Sequence, residues 1–323
     1  MPANNEDNQS DSVSDLVAEV SPQPIRSELP LNDTRTKLVK NVREALRALP
    51  FHFESKTVIA GLDALDLFSL NSVLGGTIEI QTVATLNHIR NVWDPDSEWV
   101  DYGFERSSQT FPDVRLVKTT DGSTDPVLGI ELKGWYLLAK EGQPSFRYTA
   151  TRDACTIYDL LVVVPWHLGD VLSGAPIVRD PFIEQARYAA EYRNYYWQHM
   201  RGADITNIGI QTPGNVKPYP AAKTSSSDKA EVDRGNNFGR VARIQGLMTE
   251  YMARSLKTSI SGIEARYWIE FFKVFADSSN PAQIEADMRN MLKRHPSVSN
   301  VQTSEAVIEL LMDIVRLLNG YSA

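Results

Sequence analysis

Two carboxylates and one lysine, all between residues 113 and 133, have the types and spacing of a cation-dependent hydrolytic site. Asp113 follows Phe111-Pro112, and the second group is Glu131-Leu132-Lys133. Carboxylate oxygens are hard ligands that suit Mg²⁺, and a nearby ammonium group can orient or deprotonate the attacking water and offset phosphate charge. The three residues therefore predict a magnesium site, with Asp113 and Glu131 as metal ligands and Lys133 serving the nucleophile.

The elements that would hold these residues are predicted to be strands. Residues 111–118 alternate in polarity and are rich in β-formers, and residues 126–140 have the same character. The segment between them, 119–125, contains Asp-Gly and predicts a turn. Residues 156–165 are nearly all apolar, which is typical of a central strand covered on both faces.

This hairpin would bring the chemical groups together. Side chains alternate between the two faces of a strand, so Glu131 and Lys133 share one face and Leu132 turns into the core. Asp113, on the preceding strand of the hairpin, is expected to converge on them. A charged pair within a buried strand costs free energy unless it is compensated, and a divalent cation would compensate it.

A further carboxylate lies on a predicted helix upstream. Residues 55–91 have helical character, and 77–87 within them predict one buried helix. Glu79 has apolar neighbours on this helix. It is either a boundary residue facing solvent or an additional acid of the same site.

The rest of the chain is organised around this core. Residues 1–33 lack aromatic residues and periodicity and predict a disordered acidic tail. Residues 181–201 predict a long helix, and 213–236, rich in Pro, Gly and Ser, predict a flexible loop. Four further helical segments are predicted at 239–257, 260–276, 281–294 and 303–319.

The net charge of the 323-residue chain is −8, and most of it lies in the tail. Residues 1–33 contain seven acids and one base, which gives −6 and leaves −2 for the remainder. A local basic cleft is therefore compatible with the composition. The single cysteine, Cys155, excludes an internal disulfide and favours a reducing cytoplasm. No apolar run is long enough to cross a bilayer, so no membrane partner is expected.

Basic residues after the predicted active strand are candidates for contacts with nucleic acid, because arginine and hydroxyl donors suit phosphates and base edges. An ordinary polar loop is the alternative. The candidate DNA-binding residues are Lys140, Arg147, Arg152, Lys223, Arg234 and Arg240. The five histidines are scattered and no cysteine pairs accompany them, which argues against a zinc site.

With these residues in place, the chain resembles the PD-(D/E)xK nuclease superfamily. Pro112-Asp113 matches the first acidic motif, Glu131-Leu132-Lys133 matches the second, and Glu79 lies where many members carry an extra acid. The resemblance implies an α/β fold with a restriction-endonuclease-like αβββαβ core, in which helices flank a mixed central sheet. Residues 34–212 would form this nuclease core, and residues 237–323 a helical region packed on it.

Size and the lack of ATPase motifs make the chain look most like a type II restriction endonuclease. That resemblance implies a Mg²⁺-dependent enzyme that cuts double-stranded DNA as a homodimer in a bacterial or archaeal cytoplasm. Asp113, Glu131, Lys133 and Glu79 would be its catalytic residues. Two alternatives stay open: a repair or recombination nuclease of the same fold, and a non-catalytic DNA-binding or assembly protein.

Overall fold

The computed structural model describes residues 22–107, 110–118, 126–201, 209–222, 224–233, 235, 237–277, 280–294 and 301–320. In these residues the fold is mixed α/β, as the sequence predicts: helices surround a curled sheet of parallel and antiparallel strands. No helix among them is both long and apolar enough to cross a membrane.

Six strands build the main sheet, and four two-residue strands form two small ribbons elsewhere in the described chain. The main strands are β1 (Tyr102–Arg106), β2 (Val114–Lys118), β3 (Leu128–Tyr136), β4 (Leu160–Leu168), β5 (Pro176–Val178) and β6 (Phe182–Gln185). The ribbons are β7 (Ile210–Gln211) with β8 (Lys229–Ala230), and β9 (Ser259–Ile260) with β10 (Ile263–Glu264).

The helices differ widely in length. They are α1 (Thr34–Arg47), α2 (Leu49–His52), α3 (Leu70–His88), α4 (Arg90–Trp93), α5 (Ala186–His199), α6 (Thr249–Ser255), α7 (Ala265–Asp277), α8 (Pro281–Arg294) and α9 (Val301–Gly320). Short 3-10 turns lie at Ala64–Ser69, Arg152–Ala154 and Val241–Arg243.

The main sheet runs in the order β1-β2-β3-β4-β5, and β6 also pairs with β4. Every pairing is antiparallel except that of β3 with β4, which is parallel. All nine residues of β4 are buried, because its run of apolar side chains is covered on both faces. Helix α3 packs against β1 and β3, and α5 packs against β4 and β6.

The crossover from β3 to β4 differs from the αβββαβ arrangement. A parallel connection is usually made by a helix, but residues 137–159 contain only the 3-10 turn Arg152–Ala154. Helix α5 follows β4 instead of preceding it. The segment instead makes backbone bridges to later parts of the chain, including Ala150 to Ser227.

Several predicted boundaries in the first half are wrong. Residues 22–33, assigned to the disordered tail, form an extended segment in which Arg26 pairs with Glu184 at 2.7 Å. Residues 53–63 are not helical, although the buried helix predicted at 77–87 is confirmed as part of α3. The strand predicted at 111–118 begins at Val114, and strand β1 was not predicted at all. The predicted turn at 119–125 lies outside the described residues.

The second half contains similar corrections. The helix predicted at 181–201 begins only at Ala186. Residues 182–185 instead form strand β6, which pairs with β4. The segment predicted as one helix at 239–257 contains a 3-10 turn and the short α6, and the helix predicted at 260–276 begins at Ala265 after a β-ribbon. The helices predicted at 281–294 and 303–319 are confirmed.

A buried ion pair fixes much of the segment predicted as a flexible loop. The side chains of Arg193 on α5 and Asp228 on the 213–236 segment are fully buried and hydrogen-bonded to each other. The guanidinium also donates to the carbonyl oxygens of Tyr148 and Ala150, at 2.8 and 3.0 Å. Backbone bonds add to this, since Asp228 N–H donates to Thr149 O at 2.8 Å. The described part of this segment is therefore packed on the core.

Removing one partner of this pair should be strongly destabilising. Asp228→Ala leaves a buried guanidinium without its counter-charge, so we expect the free energy of unfolding to fall by about 3–5 kcal/mol in urea denaturation. Asp153→Ala is the matched control, because Asp153 pairs with Arg152 at 3.4 Å where both side chains are about half exposed. That change should cost under about 1 kcal/mol. Equal losses in the two variants would contradict this account.

A buried histidine on β4 gives the fold a dependence on pH. His167 Nδ1 lies 2.5 Å from the carbonyl oxygen of Leu168, and Nε2 accepts from Arg179 Nε at 2.9 Å. This leaves no position for a second proton on the ring. Burial and the positive charge of Arg179 together lower the pKa of His167 from 6.5 to about 4.

The unfolded chain consequently binds one more proton than the folded chain between about pH 4 and 6.5. Stability from this group is fully present above that window and is lost as the pH falls through it, by about 3 kcal/mol in total. We expect His167→Gln to flatten the pH dependence of urea unfolding by this amount relative to wild type. The same slope in both proteins between pH 4 and 6.5 would be the contrary result.

Candidate active site

Strand β3 lies between β2 and β4 and carries two of the predicted site residues. Glu131 and Lys133 share one face of the strand, as predicted, while Leu132 is buried on the other. Glu131 is 9% exposed, and the side chain of Lys133 is 22% exposed. Glu131 is therefore almost covered, while the side chain of Lys133 remains partly accessible.

Asp113 meets them from the end of β2. Val114 pairs with Ile130, which puts Asp113 next to Glu131, and its backbone N–H donates to Glu131 Oε2 at 3.3 Å. Lys133 Nζ lies 2.5 Å from Asp113 Oδ2 and 3.3 Å from Glu131 Oε1. The convergence expected from the hairpin is thus observed. The ammonium group lies between the two carboxylates.

The cluster forms where β2 and β3 separate. The last paired position is Ile130, and beyond it side chains of α3 bond the backbone of β3 in place of a strand. Gly134 N–H donates to Glu79 Oε1 at 3.3 Å, and Tyr136 N–H donates to Asn71 Oδ1 at 3.1 Å. Glu79 is thereby held at the open edge, beside Lys133. It does not face solvent as a boundary residue would.

Helix α3 passes close to β3 where Gly75 faces Gly134. A Cβ placed on Gly134 would lie 3.4 Å from the carbonyl oxygen of Gly75. One helical turn after Gly75 comes Glu79, whose carboxylate reaches the edge of β3. Its other oxygen, Oε2, lies 3.6 Å from the guanidinium of Arg106 on β1.

A second close approach supports Asp113. A Cβ on Gly129 would lie 2.5 Å from Pro112 Cγ, 3.0 Å from Asp159 Oδ1 and 3.1 Å from the ring of Tyr219. Asp159 is fully buried and accepts hydrogen bonds from Gly129 N–H and Tyr219 O–H, both at 2.7 Å. Pro112 therefore packs against a position that only glycine can fill. This contact fixes the backbone immediately before Asp113.

The charges of the cluster are strongly coupled. Burial raises the pKa of Glu131 to about 7, with Asp113 adding to the effect and Lys133 opposing it. Burial also raises the pKa of Glu79, again against the charge of Lys133. Burial alone would lower the pKa of Lys133, but Glu131 and Asp113 raise it above its ordinary value. Lys133 is accordingly charged at neutral pH.

Two carboxylates of this cluster could serve as ligands of a magnesium ion. If every group is ionised, Asp113, Glu131 and Glu79 supply three negative charges against the two positive charges of Lys133 and Arg106. No group of three or more Asp, Glu, His or Cys side chains is arranged to hold a metal within the described residues. Mg²⁺ does not require one, because it binds through one or two carboxylates and keeps several waters. The residues present therefore fit a site of two carboxylate ligands, Asp113 and Glu131.

The predicted DNA-binding residues that the structure describes belong to several segments, and two of them, Arg147 and Arg240, are adjacent. Lys140 lies beyond β3 with its amine 5.9 Å from the centre of the Phe68 ring. Arg147 pairs with Asp233 at 3.5 Å, and Arg152 pairs with Glu191 at 3.6 Å. Arg240 forms a backbone bridge with Arg147. Lys223 and Arg234 lie outside the described residues.

Two contributors to the site are not indicated by the sequence. Arg106 belongs to β1, which the sequence did not indicate, so its approach to Glu79 depends on tertiary structure. Tyr219 was assigned to the flexible loop, yet its hydroxyl contacts Asp159 at 2.7 Å. Asp159 directly precedes the apolar residues of β4. This position indicates the start of a strand and does not indicate a functional site.

Comparisons with family models, with curated proteins and with solved structures find no match. The geometry of the cluster formed by Asp113, Glu131 and Lys133 is therefore the observation that bears on function.

The contact between Gly129 and Pro112 can be tested by adding one methyl group. We expect Gly129→Ala to lower the free energy of unfolding by about 1–3 kcal/mol, because backbone or ring atoms must shift to admit the Cβ. Gly214→Ala is the control, since nothing lies within 4 Å of the added Cβ. Chemical denaturation of both variants measures the difference. A Gly129→Ala protein as stable as the control would show that Pro112 is not held in this way.

Proposed function

We propose that this chain is a Mg²⁺-dependent endonuclease that hydrolyses phosphodiester bonds in double-stranded DNA, of the type II restriction kind. The observation that carries the proposal is the convergence of Asp113 and Glu131 on the amine of Lys133, at 2.5 and 3.3 Å. Two carboxylates can hold a divalent cation, and a lysine beside them can orient water and offset phosphate charge, so this set of groups can support hydrolysis of a phosphodiester.

Each residue has a distinct task in this proposal. Asp113 and Glu131 would hold Mg²⁺, which when bound lowers the pKa of water and neutralises phosphate charge. Lys133 would orient the attacking water and offset the charge that develops on the phosphate. Its contact with Asp113 keeps the amine in position before substrate binds. Glu79, whose carboxylate is bonded to Gly134 N–H, would serve as an auxiliary acid.

The topology gives partial support to a restriction-endonuclease-like fold. The order α3-β1-β2-β3 agrees with the first four elements of the αβββαβ core. Strand β4, which runs parallel to β3, corresponds to the last strand of that core. The departure is the crossover at 137–159, which carries a 3-10 turn where the core has a helix. We propose a variant of that core in which α5 covers the sheet from the far side of β4.

A homodimer is proposed as the active form. Cutting both strands of a duplex takes two active sites, and a palindromic sequence is matched by two-fold symmetry of the protein. One copy of the chain carries one Asp113-Glu131-Lys133 cluster.

One observation favours a second candidate, a non-catalytic DNA-binding or assembly protein. Lys133 already satisfies both carboxylates, so the three residues could serve as a buried ion-pair network that stabilises the β2–β3 hairpin. The two proposals differ in the response to Mg²⁺. A structural network needs no cation, whereas the nuclease is inactive without one.

Cleavage of unmethylated phage DNA by the purified chain tests the nuclease directly. We expect discrete fragments in Mg²⁺ and a loss of at least about 100-fold in rate for Asp113→Asn and for Lys133→Ala. Lys37→Ala and Asp96→Asn are matched controls, because Lys37 also lies between two acids, Asp96 and Glu98, but on the surface. Both controls should cut as wild type does.

Three results would count against the proposal. Absence of cleavage with every divalent ion would favour the non-catalytic candidate. Full cleavage by Lys133→Ala would remove the role of the lysine. Preference for branched DNA over a linear duplex would indicate a repair or recombination nuclease with the same residues.

A further inference from the structure

A cleft lined by arginines lies at the edge strand β6, outside the candidate active site. Its volume is about 570 Å³, within the size range of ligand sites. Three separate elements each contribute one arginine to its lining: Arg26 from the extended segment 22–33, Arg47 from the end of α1, and Arg254 from α6. Glu250 is the acid on its lining.

A fourth arginine lies behind the cleft and strengthens its positive charge. Arg43 donates to the carbonyl oxygen of Ile183 on β6 at 3.4 Å. Burial lowers the pKa of Arg43, and the positive charges of Arg47 and Arg26 lower it further, against the attraction of Glu184. The repulsion shows that these guanidinium groups lie close enough to disfavour one another. An anion in the cleft would relieve that repulsion.

The acidic side chains near the cleft do not neutralise all of its arginines, so part of the positive charge is available to a ligand. Arg26 is committed to Glu184, to which it donates from two nitrogens. Arg47 pairs with Glu44, but both side chains are more than half exposed, so that pair is easily exchanged. Arg254 is exposed and forms no ion pair within the part of the chain that the structure describes. A net charge of −8 on the whole chain makes this local excess of arginine distinctive.

The cleft continues along α6. A neighbouring cleft of about 940 Å³ shares Tyr251 and Arg254 with the first and adds Arg179, with Asp180 as its acid. The two together form a groove bordered by basic side chains. An extended polyanion fits such a groove better than a single small anion does.

Strand registers relate this groove to the candidate active site. Glu131 pairs with Leu161, and Leu161 pairs with Glu184, so Glu131 and Glu184 lie in one row on the same face of the sheet. Two strand spacings separate them, or about 10 Å. Arg26 is bonded to Glu184 and lines the arginine cleft, and fully buried Leu161 separates Glu184 from Glu131.

We infer that the arginine cleft binds phosphates of the DNA backbone and is a second point of contact for the duplex that the candidate active site cleaves. The inference rests on the proposed function for the identity of the substrate. It assigns DNA contacts to Arg47 and Arg254, which were not among the residues predicted from sequence. Arg26 would contribute charge while holding Glu184.

The experiment measures binding of a fluorescent duplex by anisotropy in EDTA, over a series of salt concentrations, so that no cleavage is needed. The test variant is the double substitution Arg47→Gln and Arg254→Gln. Both side chains are exposed, so the fold should persist, whereas loss of Arg26 would leave the buried Glu184 unpaired. The control carries Lys37→Gln and Arg289→Gln, which remove the same charge from surface ion pairs on α1 and α8.

We expect the double variant to bind more weakly and to lose about 2 from the slope of log affinity against log salt, or roughly 0.9 for each phosphate contact. The control should keep the wild-type slope. Wild-type affinity and slope in the double variant would overturn the inference, and so would a wild-type chain that binds no duplex. ATP bound by wild type and lost in the double variant, with DNA binding unchanged, would show that the cleft takes free phosphates instead.

The inference and the proposed function fail separately. A chain that cuts DNA in Mg²⁺ but whose double variant binds as wild type overturns only the arginine cleft. A chain whose DNA binding depends on Arg47 and Arg254, but which cuts nothing with any divalent ion, overturns only the nuclease.

Discussion

The ammonium group of Lys133, held between the carboxylates of Asp113 and Glu131, is the interaction around which this part of the fold is arranged. Its contacts of 2.5 and 3.3 Å join the end of β2 to the middle of β3 at the place where the two strands stop pairing. Without the lysine, two acids would face each other at a poorly hydrated site. Burial raises the pKa of Glu131 to about 7 even with Lys133 opposing the effect, and a further cation beside it would favour the charged carboxylate.

Two close backbone approaches make that arrangement possible. Gly129 lets Pro112 lie against β3, because a Cβ at this position would lie 2.5 Å from Pro112 Cγ. Helix α3 passes close to Gly134, where Glu79 bonds the strand edge, and a Cβ on Gly134 would lie 3.4 Å from its nearest neighbour. The chemistry of the site thus depends on residues that carry no functional group. These are packing constraints, and a search for acids and lysines does not find them.

The local part of the site could be predicted from sequence. Alternation along β3 is a property of the strand itself, so Glu131 and Lys133 were expected on one face, and a short hairpin brought Asp113 beside them. Helices α8 and α9 were also predictable, because their apolar spacing is regular over several turns.

Tertiary contacts decided the rest. Residues 182–185 were expected in a helix but pair with β4, since an edge of that strand was open to them. The segment containing Asp228 and Tyr219 has the composition of a flexible loop, and its order comes from Arg193 and Asp159, which are distant in sequence. The arginines of the cleft at β6 come from three elements that no local pattern connects.

The central claim is that Asp113 and Glu131 hold a divalent cation, and Mn²⁺ binding followed by electron paramagnetic resonance tests it without DNA. We expect the wild-type chain to bind Mn²⁺, Mg²⁺ to displace it, and Asp113→Asn and Glu131→Gln each to weaken binding by about tenfold or more. Equal Mn²⁺ binding by the wild type and both variants, or no binding by the wild type, would contradict it.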